Sequence, residues 1–298
     1  MSDQLLVTID GAPQPLIEFA DPDQPLLCAD DLAAVRGDGV FETLLIRAGG
    51  ACLVESHLHR LARSAAMADL PEPDAPTWRR AIQTAVSRWV DRTDDEGVLR
   101  LVYSRGRESG SAPTAFLTVA PVAARVGAAR RDGVSALVLD RGLPATGVEA
   151  MPWLLAGAKT LSYAVNMAAL RHAARQGAGD VIFVSSDGYI LEGPRSTVVI
   201  AARDHTGGPC LKTPPTWYPI LRGTTQQALF EVAAAKGYRC EYQPLRPADL
   251  VAAQGVWLVS SITLAARVHT LDGQALAPSP MAAEFADLVD AAIVSDRQ

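Results

Sequence analysis

Two pairs of strand-like runs in this chain are joined by turns too short to hold a crossover helix, which does not fit an all-parallel sheet. GVFETLLI (39–46) alternates like a half-buried strand, and RAGG then leads to ACLV, a hairpin signal. DVIFVSSDGYILEG (180–193) places Asp187-Gly188, a favoured turn pair, between two β-rich runs. LLVTID, LRLVYSRG, TAFLTVAPV, VSALVLD, RSTVVIAA and VWLVSS supply further strands. Helical patterns cover Thr77 to about Asp91, Leu161 to Arg175 with Gly177 as the stop, and QQALFEVAAAKG. Ser56 is a credible N-cap for another helix, with Leu58, Leu61, Ala62 and Ala65 on one face. The order predicts an α+β chain, not the regular βα alternation of a doubly wound sheet. VAARVGAARRDG reads as a connection, which sets the expected domains at 1–121 and 132–298 with a linker at 122–131.

A chain of 298 residues, 49% hydrophobic and 20% charged, is large enough for two domains and is not a disordered segment. No run approaches the roughly 18 apolar residues of a membrane helix. The net charge of -6 argues against nucleic acid as a partner. MSDQLLVTIDGAPQPL has no basic stretch leading into an apolar core, so the expectation is a cytoplasmic protein. Cys28, Cys52, Cys210 and Cys240 are scattered, and His57 and His59 lack a third ligand nearby. Neither disulfides nor a metal is expected, and the histidines read as surface or capping residues.

Of 27 basic residues only Lys159, Lys212 and Lys236 are lysine. Lys236 suits a helix end, and Lys212 precedes TPP in an expected turn. Lys159 lies in WLLAGAKTLSYAV, where an ammonium is poorly solvated. A desolvated lysine can lose its proton and act as a nucleophile, which an arginine cannot; snorkelling is the other reading. RGTTQQALF sets a glycine and two threonines at a helix start, an anion site or a plain N-cap. SSIT (260–263) offers more hydroxyls and amides after a buried strand, whereas RGDG (36–39) lacks the third glycine of a dinucleotide fingerprint. Arg60 falls on the first turns of a helix and Glu192 at a strand end. Lysine, cation, carboxylate and hydroxyl-rich helix start together would suit pyridoxal 5'-phosphate.

The order GDGVFETLLIRAG, HLHRL, SRG, AKTLSYAVNMAALRHA, DGYILEG, TP and LRGTT resembles the fold type IV pyridoxal phosphate enzymes (aminotransferase class IV), from about Thr8 to Gly273. That family holds branched-chain and D-amino-acid aminotransferases and 4-amino-4-deoxychorismate lyase. The resemblance implies a small N-terminal α/β domain, a larger C-terminal pseudo-barrel domain that carries the lysine, the cofactor between them, and a homodimer. It makes Lys159 the Schiff-base lysine, Arg60 the phosphate-binding arginine and Glu192 the partner of the pyridine nitrogen. Thr224 and Thr225 match the phosphate cup, Ser261 and Thr263 the second phosphate loop, and Tyr163 a position near the cofactor's phenolic oxygen. Two departures stand out: Thr197 where the family often has Asn, and GTTQ where GITR is commoner.

Within the family the chain is most similar to the lyases, through GDGxFxT, HxxRL and a V-x-SRG strand followed by a Gly/Ser loop. Thr43 departs from the branched-chain pattern. Phe41 and the histidine-free RGRESGSAP depart from the D-amino-acid pattern. Phe41 would line the substrate site, and Arg105 would pair with a substrate carboxylate or form a structural salt bridge. The implied reaction is release of pyruvate and 4-aminobenzoate from a small-molecule substrate, in folate biosynthesis. Transamination of D- or branched-chain amino acids with a 2-oxo acid is the alternative, and a non-catalytic cofactor- or amine-binding protein the third reading. RGLPATGVEAMP (141–152) is the expected pocket wall.

Overall fold

The computed structural model describes residues 3–10, 15–110 and 112–293. The chain divides into two compact units. One holds the described residues up to Ala123 together with Ala158–Tyr163, and the other holds Ala124–Gly157 and Ala164–Ile293.

The first unit contains β1 (Leu5–Ile9), β2 (Ile17–Ala20), α1 (Leu32–Val35), β3 (Gly39–Arg47), β4 (Gly50–Ala51), α2 (Val54–Met67), α3 (Ala75–Val90), β5 (Gly97–Ser104) and β6 (Thr114–Pro121). Its sheet runs β2-β1-β6-β5-β3-β4, antiparallel at every pairing; a short turn requires this of β3 and β4, whereas β3 and β5 are joined through α2 and α3. The apolar stripes of α2 and α3 close over it, burying Leu58, Leu61, Trp78 and Ile82 with Val40, Leu44, Ile46, Leu99 and Leu117. Asp74 caps α3 by accepting from the Thr77 amide at 2.9 Å. Ser56 does not cap α2. That helix begins at Val54 behind a left-handed Leu53 that makes no side-chain cap bond, which puts Ser56 inside the first turn.

The second unit contains α4 (Ala124–Asp132), β7 (Val134–Asp140), α5 (Ala164–Arg175), β8 (Asp180–Val184), β9 (Thr197–Arg203), β10 (Pro209–Thr213), α6 (Thr224–Ala235), β11 (Arg239–Tyr242), α7 (Pro247–Ala252), β12 (Gly255–Ser260), β13 (Leu264–Leu271), β14 (Gln274–Ala275) and α8 (Ala282–Ala292). Its mixed sheet runs β11-β10-β9-β12-β13-β7-β8, with β14 paired to β13. Most of the segment read as a connection is therefore a helix, α4, packed on β13. Lys212 lies in β10, not in a turn. α5 starts at Ala164, three residues later than the apolar periodicity suggests. The Asp187-Gly188 turn forms, and the Phe183 amide donates to Glu192 O at 2.8 Å, although the return arm is only a bridge at Ile190. Among the described residues no helix is long and apolar enough to cross a membrane.

Candidate active site

In the first unit, residues 159–161 dock beside the start of β3. The Phe41 amide donates to Lys159 O at 3.0 Å and the Leu161 amide to Gly39 O at 2.8 Å. Gly39 is required there, because a Cβ would lie 2.8 Å from Ser104 Cα, Tyr103 O and Leu161 Cδ1. From the α2 side the Ser64 hydroxyl accepts from the Lys159 amide at 3.1 Å. The backbone of the lysine is thus held by a strand and a helix. Its Nζ lies 4.4 Å from the centroid of the Phe41 ring and 5.6 Å from that of Tyr163, and the two rings meet edge to face at 5.4 Å. Aromatic faces attract an ammonium while sheltering it from water.

The other face of β3 points into the core as Val40, Glu42, Leu44 and Ile46, so one of its four buried side chains is a carboxylate. Glu42 is 0% exposed and accepts from Arg60 Nε and Nη2, each at 2.7 Å, with His57 Nδ1 2.7 Å from its Oε2. His57, Arg60 and Ser64 form one stripe of α2, at spacing i, i+3, i+7. Burial alone would push the Glu42 carboxyl up. The charge and hydrogen bonds of Arg60, then the hydrogen bond from His57, outweigh it and hold the carboxyl well below the usual range. Burial pushes His57 down against the pull of Glu42, and the charges of Arg60 and Lys159 add to that push, so the imidazole is neutral at pH 7. Since an ionised Glu42 only accepts, Nδ1 carries the donated proton. Removing one member of such a buried pair costs about 3–5 kcal/mol.

Arg105 is engaged elsewhere in this unit. Its Nε donates to Asp38 at 2.7 Å, Nη2 to Ala68 O at 2.7 Å and Nη1 to Asp69 O at 3.1 Å. A substrate carboxylate would have to compete with Asp38, so the geometry favours the structural salt bridge.

In the second unit, the Leu221 amide donates to Glu192 Oε2 at 3.0 Å and orients that carboxylate. Two residues on, α6 opens at Gly223, in extended conformation and with no side-chain cap on the first turn. Four amides at such a terminus lack helical partners, and the helix dipole makes them an anion site. Thr224 and Thr225 are buried in that turn, and Thr225 Oγ1 has no hydrogen-bond partner among the described residues. Gln226, which stands where GITR has its arginine, is buried and donates to the Tyr242 hydroxyl at 3.1 Å. Thr197, the other departure, packs on the helix start: a Cβ at Gly223 would lie 2.3 Å from its Oγ1.

Thr197 pairs with Val259, which carries the end of β12 towards the same region, and Ser261–Thr263 turn back into β13. The Thr263 amide donates to Ser260 Oγ at 3.3 Å. Leu264 is left-handed, with φ 61°. That conformation costs a residue with a Cβ about 1–2 kcal/mol, and it is tolerated here with the Leu264 side chain buried in the core. The structure therefore groups Lys159, Phe41, Tyr163 and Arg60 in one unit, and Glu192, Thr224, Thr225, Ser261 and Thr263 in the other.

The amino-transferase class IV family model matches residues 39–271. The chain belongs to that family. Its fold is the class IV aminotransferase fold, of mixed helices and curled sheets. It is 72% identical over 295 residues, 98% of this chain and all of the relative, to a Mycobacterium tuberculosis protein named bifunctional aminodeoxychorismate lyase / D-amino acid transaminase. A hypothetical aminotransferase from the same organism, solved in a PLP-bound form, superposes with a TM-score of 0.92 at 71% identity. The match covers 99% of this chain and 100% of that one. A fold IV transaminase from Curtobacterium pusillum gives 0.89 at 39% identity, over 97% and 98% of the two chains.

Class IV aminotransferases use pyridoxal 5'-phosphate, and the residues here fit that group. The fit is carried by the unsatisfied Thr225 hydroxyl at an uncapped helix start, a lysine amine among aromatic rings and a carboxylate held by a backbone amide. No cluster of three or more His, Cys, Asp or Glu suited to a metal occurs among the described residues. Sequence reasoning passed over Glu42, although a glutamate at an inward position of an alternating strand is a legible signal. It also read His57 as surface or capping chemistry, and the fold buries it.

Proposed function

We propose that this enzyme is a pyridoxal phosphate-dependent 4-amino-4-deoxychorismate lyase that releases pyruvate and 4-aminobenzoate. The observation that carries the reading is the 72% identity, over essentially the full length of both chains, to a protein named for that activity. The same name includes D-amino acid transaminase, so transamination of D-amino acids with a 2-oxo acid is the second reading. Branched-chain amino acids are a weaker variant of it.

In this reading Lys159 holds the cofactor through Nζ, and Arg60 with Thr224, Thr225, Ser261 and Thr263 binds its phosphate. Glu192, oriented by the Leu221 amide, keeps a proton on the ring nitrogen. Bound pyridoxal phosphate supplies an electron sink for a bond broken at the amine-bearing carbon. Lys159 Nζ is the atom that takes the proton from that carbon. Phe41 and Tyr163 keep water from Nζ, and Phe41 presents the substrate with a ring that carries no hydroxyl. Glu42 fixes the plane of the Arg60 guanidinium by bidentate pairing.

The reaction would supply 4-aminobenzoate for folate synthesis, in the cytoplasm, by a homodimer. None of the four cysteines is in a disulfide, which fits a reducing compartment. Trp153 and Trp217, at 72% and 61% exposure, suit an assembly surface that light scattering would test. The deciding experiment gives the cofactor-loaded enzyme 4-amino-4-deoxychorismate with no oxo acid and follows 4-aminobenzoate fluorescence. Product with equimolar pyruvate is expected. No product from a loaded enzyme that does transfer amino groups from D-amino acids would replace the lyase reading with the second one.

A further inference from the structure

α4 ends beside the turn that the reading above assigns to phosphate binding. Gly133, just past the helix, is left-handed, and a Cβ there would lie 2.4 Å from Arg267 O of β13, so the end of α4 is pinned against that strand. From this fixed position Arg130 reaches across, and its Nη2 donates to Ile262 O at 2.5 Å. Ile262 is the middle residue of the 261–263 turn, between the two side chains proposed to meet the phosphate.

The turn does not hold its shape by local preference. Leu264 closes it in a left-handed conformation that glycine or asparagine would take more readily. A strained segment persists only where its surroundings over-determine it, and an observed outlier of this kind points to a function. Polar contacts restrain the turn from both sides: Ser260 Oγ accepts the Thr263 amide from inside, and Arg130 grips the Ile262 carbonyl from outside. Turning that carbonyl towards Arg130 faces the following Thr263 amide the opposite way, because the C=O and the next N–H of one peptide plane point in opposite directions.

We propose that Arg130 is a positioning residue for phosphate binding: by holding Ile262 O it keeps the Ser261–Thr263 turn in the shape that receives a phosphate monoester. The proposal rests on the cofactor reading above. In this role Arg130 acts through the Ile262 carbonyl and not on the phosphate itself. It acts as supporting residues do behind a metal or catalytic ligand, where loss of the outer contact costs about 10–100-fold in affinity. This is also a role for a segment that sequence reading treats as a connection.

The test titrates cofactor-free, full-length protein with pyridoxal 5'-phosphate and with pyridoxal, which lacks the phosphate, following tryptophan fluorescence. R130A is expected to weaken pyridoxal phosphate about tenfold and to leave pyridoxal within about twofold of wild type. R130K keeps a donor for the carbonyl and should recover most of that loss. Amide hydrogen exchange at 261–264 should be faster in cofactor-free R130A than in wild type, with the remainder of β13 unchanged.

Unchanged phosphate affinity in R130A overturns the proposal, as does an equal loss for both probes, which marks a general structural role. If R130A does not fold, R130K decides: phosphate affinity within about threefold of wild type supports the proposal, and a tenfold loss overturns it. A wild-type chain that binds neither probe removes the cofactor reading, and the proposal with it. Tight binding by wild type with no change in R130A removes the proposal alone.

Discussion

The two groups of candidate phosphate-binding residues are built in opposite ways. In β3 and α2 the work is done by charge. Arg60 is buried against a fully buried Glu42, with neutral His57 on the same carboxylate. Around the start of α6 and the 261–263 turn it is done by dipoles, namely amides, threonine hydroxyls and an uncapped helix end, with Arg130 outside the turn. A buried charge cannot lose its partner cheaply, because the ion left behind is unsolvated. A dipole site loses its groups one at a time, each at the cost of a hydrogen bond. The first group should therefore fail all at once and the second by degrees.

Replacement of Lys159 bears on both groups and has the largest expected effect. K159A should lose covalent attachment of the cofactor and at least about 10^3-fold in turnover, read from absorbance and 4-aminobenzoate release, with a melt like that of wild type. Retention of wild-type turnover would falsify the assignment.

E42Q tests the charged group directly. It keeps the shape of the side chain but leaves Arg60 buried without its counter-ion. Stability should fall by about 3–5 kcal/mol in urea denaturation, together with phosphate affinity. A loss no larger than that of a single hydrogen bond would erase the contrast drawn above.

Acid adds a sign to the same comparison. His57 is held below its ordinary value in the folded chain, so below about pH 6.5 the unfolded chain binds a proton that the native one does not, and stability falls with pH. Glu42 is held low as well, and its contribution is present above the ordinary carboxylate range and lost as pH drops through its depressed folded value. H57Q should flatten the first part of this decline, which begins below about pH 6.5, and leave the later carboxylate part. Melting curves across that range would show an unaltered slope if His57 were not the group responsible.

T225V is expected to have the smallest effect, and one of mixed sign. Thr225 Oγ1 is buried without a partner among the described residues, so the cofactor-free protein should gain up to about 1 kcal/mol when the hydroxyl is removed. The same change should weaken pyridoxal phosphate a few-fold, by loss of one bond to the phosphate. A T225V protein that loses stability in the cofactor-free state would mean the hydroxyl already has work to do within the fold.

Sequence alone determined the antiparallel hairpins, the α3 and α6 helices and the unusual character of Lys159, because periodicity, turn residues and residue choice are local properties. The resemblance in motif order suggested roles for Arg60, Glu192 and the hydroxyl-rich segments, which the fold distributes between two compact units. Tertiary structure alone decided the remainder. Ser56 looks like a cap, yet α2 already begins at Val54, behind a left-handed Leu53. Residues 122–131 read as a connection, since α4 has no strong apolar stripe and gains its place by packing on β13. Glu42 and His57 are 15 residues apart, and only when α2 lies on β3 does each become the reason the other can be buried. Arg130 and Ile262 are 132 residues apart, and a hydrogen bond over that separation depends on where two elements pack, which no window of sequence encodes.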